Sequence, residues 1–260
     1  MLELDMKHNK KENNMNENRI VSWFSCGAAS AVATKLMLAE GEPVTIAYCR
    51  VKEEHPDNMR FLKDCEKWFG QEVLILQNEK YEGSCHKVFE KNFFRTPHGS
   101  PCTRELKKKV RMKFQQPNDI IVFGYTAEEE ERLNSFIDRN NEVPVRAPLV
   151  EKGLTKGEVL AMIENAGIEL PMMYKLGYEH NNCVGCVKGG MGYWNKIRVD
   201  FPEQFDEYAK MERERGYTIL KDKNGSMYLD ELDPTRGRMS DEPKIECGIM
   251  CELAEKSYGG

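Results

Sequence analysis

No apolar run in this 260-residue chain is long enough to span a bilayer, and the mean hydropathy is −0.64. The reading therefore excludes a membrane-spanning segment. Residues 1–19 contain no apolar stretch of the kind that opens a secretory signal, which predicts a cytoplasmic protein with no membrane partner. Surplus basic charge is missing as well: 38 Lys and Arg stand against 43 Asp and Glu, a net charge of −5. That balance argues against a uniformly basic nucleic-acid coat and leaves room only for a local basic patch. Internal repeats are absent. The chain is long enough to bury a core without disulfide staples.

Cysteine, by contrast, is present in an odd number, nine, in a chain expected to sit in a reducing compartment. Burial, metal ligation or thiol chemistry must account for them. Cys49, Cys65 and Cys85 lie in apolar or helical contexts and read as buried structural thiols.

Residues 1–19 are Lys, Asn and Glu with almost no apolar periodicity, so a mobile arm is expected there. A nucleotide-binding α/β core is expected over 20–175. Apolar runs at Ile20–Phe24, Val44–Cys49, Glu72–Leu76 and Ile120–Phe123 read as strands. The segments between them read as helices: an Ala/Leu-rich one ending near Glu40, Pro56–Phe69 closed by Gly70, Cys85–Phe94 and Thr103–Phe114. Thr155–Ala166 is another, with Thr155 and Glu158 spaced as a capping box and Gly167 as its stop. The alternation predicts a doubly wound, mostly parallel α/β sheet with helices on both faces. Residues 176–260 form a Cys-containing C-terminal extension, with a helix near Pro202–Arg215 and a hairpin from Thr218 to Leu232 around Asn224-Gly225.

Four segments carry chemistry. Ser25-Cys26-Gly27-Ala28-Ala29-Ser30 joins a strand to a helix, so its amides and the helix N-terminus would meet an oxyanion at the carboxyl end of the sheet. Gly27 lets the backbone approach that guest, and the Ser25 and Ser30 hydroxyls can donate to it. Arg104 and Lys107 follow Pro101-Cys102-Thr103 on a basic helix whose apolar face is Leu106, Val110 and Phe114; they suit a second phosphate or sulfate. Cys183-Val184-Gly185-Cys186 supplies two thiolates for a metal or cluster corner, and Cys102 with Cys247 or Cys251 would complete four; a redox pair is the competing reading. Finally, Cys247 and Cys251 stand on a Gly-containing tail able to bring a thiolate into a cleft.

In this order the segments resemble the phosphoadenosine phosphosulfate reductase family of the adenine nucleotide alpha hydrolase, or PP-loop, superfamily. Phe24 to Ser30 is similar to the family's phosphate loop, and Glu54-His55-Pro56-Asp57-Asn58 to its turn before a helix. Pro101-Cys102-Thr103-Arg104-Glu105-Leu106-Lys107 resembles its Cys-Thr-x-x-Leu-Lys segment, and Gly124 to Arg132 its Gly-x-x-x-x-Glu-x-x-Arg segment. Pro148-Leu149-Val150 to Glu158-Val159 and Met173 to Tyr178 match two further stretches, the second directly before the Cys183–Cys186 pair. Glu246-Cys247-Gly248-Ile249 resembles the family tail whose Cys is the nucleophile, with Met250 where the family has His.

The resemblance implies an adenine nucleotide or sulfonucleotide ligand held by Ser25, Cys26, Gly27, Ala28, Ser30, Arg104, Lys107, Gly124 and Arg132. It implies Cys247 as the attacking thiol and a thioredoxin-like reductant as partner. It further implies a 4Fe-4S cluster or zinc on Cys102, Cys183, Cys186 and Cys251; the tandem Cys of iron-sulfur members is Pro101-Cys102 here, so Cys251 would supply the missing ligand. ATP-using sulfur-insertion members carry Asp where this loop has Ala29, which turns the reading toward a sulfonucleotide reductase that forms sulfite. An ATP pyrophosphatase-type sulfurtransferase acting on nucleic acid, and a nucleotide-binding module with a structural metal, are the alternatives. The sequence leaves the oligomeric state open.

Overall fold

The structure, a computed structural model, describes residues 18–96 and 99–242. Residues 1–17 of the expected arm, and the tail with Cys247, Met250 and Cys251, lie outside the described residues. Arg19, placed in the arm by sequence, is anchored: its guanidinium donates to both Asp119 carboxylate oxygens at 2.9 and 2.7 Å.

The expected alternation is present. In chain order the first elements are β1 (Ile20–Trp23), α1 (Ala28–Ala39), β2 (Val44–Cys49), α2 (Asn58–Phe69), β3 (Leu74–Leu76) and α3 (Cys85–Phe89). A π-helix at Thr103–Lys108 runs into α4 (Lys109–Phe114), followed by β4 (Ile120–Val122), α5 (Glu130–Arg139) and β5 (Val145–Arg146). Then come α6 (Pro148–Glu151), α7 (Lys156–Asn165), α8 (Met172–Lys175), α9 (Met191–Asp200), α10 (Pro202–Arg215), and the antiparallel pair β6 (Leu220–Asp222) and β7 (Gly225–Met227).

The first five strands form one parallel sheet in the order β3-β2-β1-β4-β5, with Val21 paired to Thr45 on one side and Ile121 on the other. Alternation along the strands sorts side chains to two faces. Val44, Ile46, Tyr48 and Val122 pack with α1, α2 and α7, while Val21, Trp23, Ala47 and Ile121 pack with Val110 of α4 and Leu133 and Phe136 of α5. The sheet is thus doubly wound, as its apolar pattern predicts. Strand order reverses between β1 and β4, which opens a crevice at their carboxyl ends.

Several expected boundaries move for local reasons. β3 begins two residues late because the Val73 amide is taken by the Glu66 carboxylate at 2.9 Å. α3 stops at Phe89, where the Asn92 side-chain amide donates to the Val88 carbonyl. The single helix expected over Thr103–Phe114 instead opens with a wide turn, which divides its apolar stripe. Leu106 joins the cluster around Trp194 and Tyr208, whereas Val110 and Phe114 pack beneath the sheet. The basic face is correspondingly less solvated than expected, with Lys108 and Arg111 buried.

The extension packs on the core through one apolar cluster that joins Val51, Tyr81, Val88 and Phe89 to Tyr193, Trp194, Phe205 and Tyr208. Pro202 starts α10 at a position whose amide needs no partner, and Gly216 ends it in the left-handed region at φ 68°.

Beneath this cluster the buried Glu212 carboxylate accepts the Ile219 and Leu229 amides, and burial pushes its pKa up to about 7. A carboxylate with a raised folded-state pKa contributes stability that is present below its unfolded pKa and lost as pH rises through the folded value. The difference in urea midpoint between wild type and Glu212→Gln is therefore expected to shift against wild type between about pH 4.5 and 7. Equal pH slopes for the two proteins would contradict it.

Candidate functional site

The loop after β1 holds itself in shape. Ser30 lies at the start of α1, and its buried hydroxyl donates to the Gly27 carbonyl at 3.0 Å and accepts the Ser25 amide at 3.0 Å. With that proton committed, the Ser25 hydroxyl is the donor in their mutual 3.0 Å contact. Ser30 is thus a brace of the loop, and Ser25, which is exposed, is the hydroxyl able to turn toward a ligand. Cys26 adopts φ 55°, a left-handed conformation rare for a residue with a side chain. Its carbonyl is held by the Asn181 side-chain amide at 2.6 Å.

Gly124, just past β4, touches this loop so closely that a Cβ there would lie 2.7 Å from the Ser30 nitrogen and 2.8 Å from the Ala29 carbonyl carbon. The two strand ends that flank the topological switch are therefore in backbone contact. Above them lies a cavity of about 470 Å³ lined by Ser25, Gly27, Ala28, Ser30, Lys107, Gly124 and Arg132, all expected from sequence, together with Lys156, Tyr174 and Asn181. Its volume falls within the range typical of small-ligand pockets.

Cys26 and Arg104 do not line it. Cys26 is fully buried, and burial followed by the Glu54 charge pushes its thiol well up, so its part in the loop is backbone conformation. Arg104 is directed to Glu105 at 3.0 Å and Asn92 at 3.4 Å. The wide turn places Lys107, not Arg104, toward the cavity.

Lys107 is positioned by a buried network that the sequence did not reveal. Its ammonium donates to Glu54 Oε1 at 3.3 Å, and Glu54 Oε2 accepts from the Tyr48 hydroxyl and, at 3.2 Å, from Asn58 Nδ2. Asn181 also donates to Asn58 Oδ1 at 2.7 Å, which ties this network to the phosphate loop. On the opposite wall Arg132 bonds Glu129 at 2.8 Å, and its guanidinium lies over the Tyr125 ring at 4.8 Å. Lys156 Nζ reaches the Glu179 carbonyl at 3.0 Å. The cavity therefore offers loop amides, a helix N-terminus and three cations to an anionic ligand.

Cys49 and Cys65 are buried single thiols, as expected, and burial raises Cys49 to about 12. Cys85 is buried as expected too, but not alone: Cys102, Cys183 and Cys186 pack in the same cluster, and its thiol is hydrogen-bonded toward Cys102 and Cys183. The Cys102 sulfur is held below the usual thiol range by the hydrogen bond from Cys85, helped by Lys188 and Lys107, while Cys85 itself is pushed well up. Cys183 and Cys186 are both buried in the same apolar cluster. Among the described residues, no group of three or more His, Cys, Asp or Glu side chains is placed so that it could hold a metal ion without rearrangement. In donor chemistry, however, these buried cysteines suit a thiophilic metal.

A sheet with this switch-point loop and cation-lined crevice belongs to the nucleotide-binding α/β class. The model of the phosphoadenosine phosphosulfate reductase domain matches residues 19–189, and the chain belongs to that family. Among solved structures, the crystal structure of phosphoadenylyl-sulfate (PAPS) reductase from Candida auris, in a phosphate complex, aligns with a TM-score of 0.49 and 12% identity. It covers 65% of this chain and 82% of that one. Comparison with curated proteins gives no match. Among the described residues no helix is long and apolar enough to cross a membrane.

Gly124→Ala is expected to weaken adenine-nucleotide binding at least roughly tenfold in calorimetry, because the added methyl must displace the loop backbone. Gly157→Ala, on α7 with nothing within 4 Å, should leave binding unchanged. Glu54→Gln is expected to lower the unfolding free energy by about 1–3 kcal/mol, since it removes the charge of a buried carboxylate to which Tyr48, Asn58 and Lys107 all donate. A double-mutant cycle of Glu54→Gln with Lys107→Met, read by urea denaturation, should give a coupling energy of about 1 kcal/mol between the two side chains.

Proposed function

We propose that the chain is a sulfonucleotide reductase that binds adenylyl sulfate, or its 3′-phosphorylated form, in the crevice between β1 and β4. The observation that carries this reading is the juxtaposition of the Ser25–Ser30 loop with Lys107 and Arg132 around one cavity, in a chain of the reductase family. An α-phosphate lies against the loop amides and the Ser25 hydroxyl, with the sulfonate turned toward the cations. Lys107, held by Glu54, and Arg132, held by Glu129, then meet oxyanions without having to be ordered on binding.

In this reading the Cys247 thiolate attacks the sulfonate sulfur. A sulfur–sulfur bond forms, the sulfur–oxygen bond to the phosphate breaks, and the nucleotide leaves with that electron pair. The product is a protein S-sulfonate and AMP, or its 3′-phosphorylated form. A thioredoxin-like dithiol then releases sulfite and becomes a disulfide, so that sulfur is reduced and the thiols are oxidised. Loop amides and cations stabilise the charge developing on the leaving phosphate. A thiophilic metal or cluster held by the cysteine group would, when bound, fix the segments that carry Lys107 and Asn181.

The anaerobically purified chain should yield sulfite and AMP or its 3′-phosphate from a sulfonucleotide plus thioredoxin. Mass spectrometry should find one SO₃ adduct on the Cys247 peptide before reductant is added, and none in Cys247→Ser. Pyrophosphate and AMP from ATP, with no sulfite from either sulfonucleotide, would favour the sulfurtransferase instead.

A further inference from the structure

We propose that Cys85, Cys102, Cys183 and Cys186 are the four thiolates of a thiophilic metal centre, zinc or an iron-sulfur cluster, with Cys85 in the place expected for Cys251. The contacts that point to this come from segments far apart in the chain. Cys85 opens α3, Cys102 immediately precedes the π-helix, and Cys183 begins the C-x-x-C knuckle, yet Cys85, Cys183 and Cys186 lie in one packed cluster with Cys102 against it. Single buried thiols such as Cys65 are explained by packing alone. Four cysteines from three segments in one packed cluster supply the donor set that thiolate metal sites use, and small side-chain rotations would close them on a metal.

The surrounding backbone is built to hold these residues in place. The Glu53 carboxylate accepts from the Ser84 hydroxyl at 2.6 Å and from the Cys85 and His86 amides at 2.8 and 3.3 Å, which fixes the start of α3. The same residue's carbonyl accepts the Val184 amide at 2.8 Å, and Glu54 pairs with Cys183 as an antiparallel bridge. One dipeptide thus sets Cys85 and Cys183 side by side.

Within the knuckle, Gly185 has φ 73°, and a Cβ there would lie 2.6 Å from the Tyr208 ring. The Tyr193 hydroxyl accepts the Cys186 amide at 2.9 Å and donates to the Cys183 carbonyl at 3.1 Å, bracing both ends. Behind Cys186 the Arg95 guanidinium donates to the Val187 and Gly189 carbonyls. Its charge would offset part of the negative charge of a four-thiolate site. A metal would replace the S–H···S contacts with metal–sulfur bonds of about 2.3 Å. This site does not depend on the nucleotide chemistry assigned to the cavity.

The full-length chain, purified without oxygen or reconstituted with zinc or with iron and sulfide, should hold metal, and X-ray absorption should count four sulfurs from protein or cluster around each metal atom. The absorption edge and the presence or absence of a short iron–iron distance identify which centre it is. The double variant Cys247→Ser/Cys251→Ser should keep the wild-type metal content and sulfur shell, while Cys85→Ser should lose metal by more than half or lose one protein sulfur. A reduced shell in the tail variant, wild-type metal and sulfur in Cys85→Ser, or a wild-type chain that neither holds nor takes up either centre would overturn the proposal. If Cys85→Ser fails to fold, the tail variant decides alone, an intact shell supporting Cys85 and a diminished one refuting it. Sulfite formation is a separate readout, so failure of the reductase reading leaves this result interpretable.

Discussion

The Glu53-Glu54 dipeptide is the constraint on which both halves of the site depend. Glu54 turns inward as a buried carboxylate that Tyr48, Asn58 and Lys107 all donate to, so β2, α2 and the wide turn converge on one acceptor. Glu53 points the other way, into the amides that open α3. Their backbone meanwhile pairs with the start of the cysteine knuckle. A buried carboxylate is tolerable only with its partners in place, so none of these segments can shift alone without leaving charge unpaired.

The π-helix gives this arrangement its direction. Under a uniform α-helical turn, Leu106, Val110 and Phe114 would share one face and the lysines would face water. Widening the first turn sends Leu106 toward the knuckle cluster and Val110 beneath the sheet, and Lys107 is then available to Glu54 and the cavity. Arg104 takes the outward position, where Glu105 and Asn92 engage it.

Much of the fold was legible because its signals are local. Apolar runs marked β1, β2 and β4, the Thr155–Glu158 box marked the start of α7, and Gly70 and Gly167 marked helix ends, where both take a left-handed φ. The phosphate loop was legible for the same reason, since strand, glycine and helix start are consecutive. α5 was read only in its first residues, as the end of the Gly124–Arg132 segment, and α9, which follows Gly189-Gly190, was not read at all, because tertiary packing of Tyr193, Trp194 and Ile197 outweighs the breaker signal. Cys85 is buried as read, but its cysteine neighbours were not legible, because Cys102 and Cys183 lie 17 and 98 positions away and no spacing pattern reports such a meeting. The clue was available, in hindsight, in Ser84 as a helix cap that fixes where Cys85 begins its turn.

Loop and knuckle are, in the end, a single mechanical unit. Asn181, two residues before Cys183, donates through one amide nitrogen to the Cys26 carbonyl and to Asn58, and Asn58 in turn donates to Glu54. Cys26 needs that hold, because a non-glycine residue at φ 55° is conformationally costly. Any displacement of the knuckle must therefore release Cys26 or break the Glu54 network, and either change would alter the amides and the Lys107 ammonium that face a bound anion. The same few buried hydrogen bonds that satisfy Glu54 thereby couple oxyanion binding to the position of the cysteines.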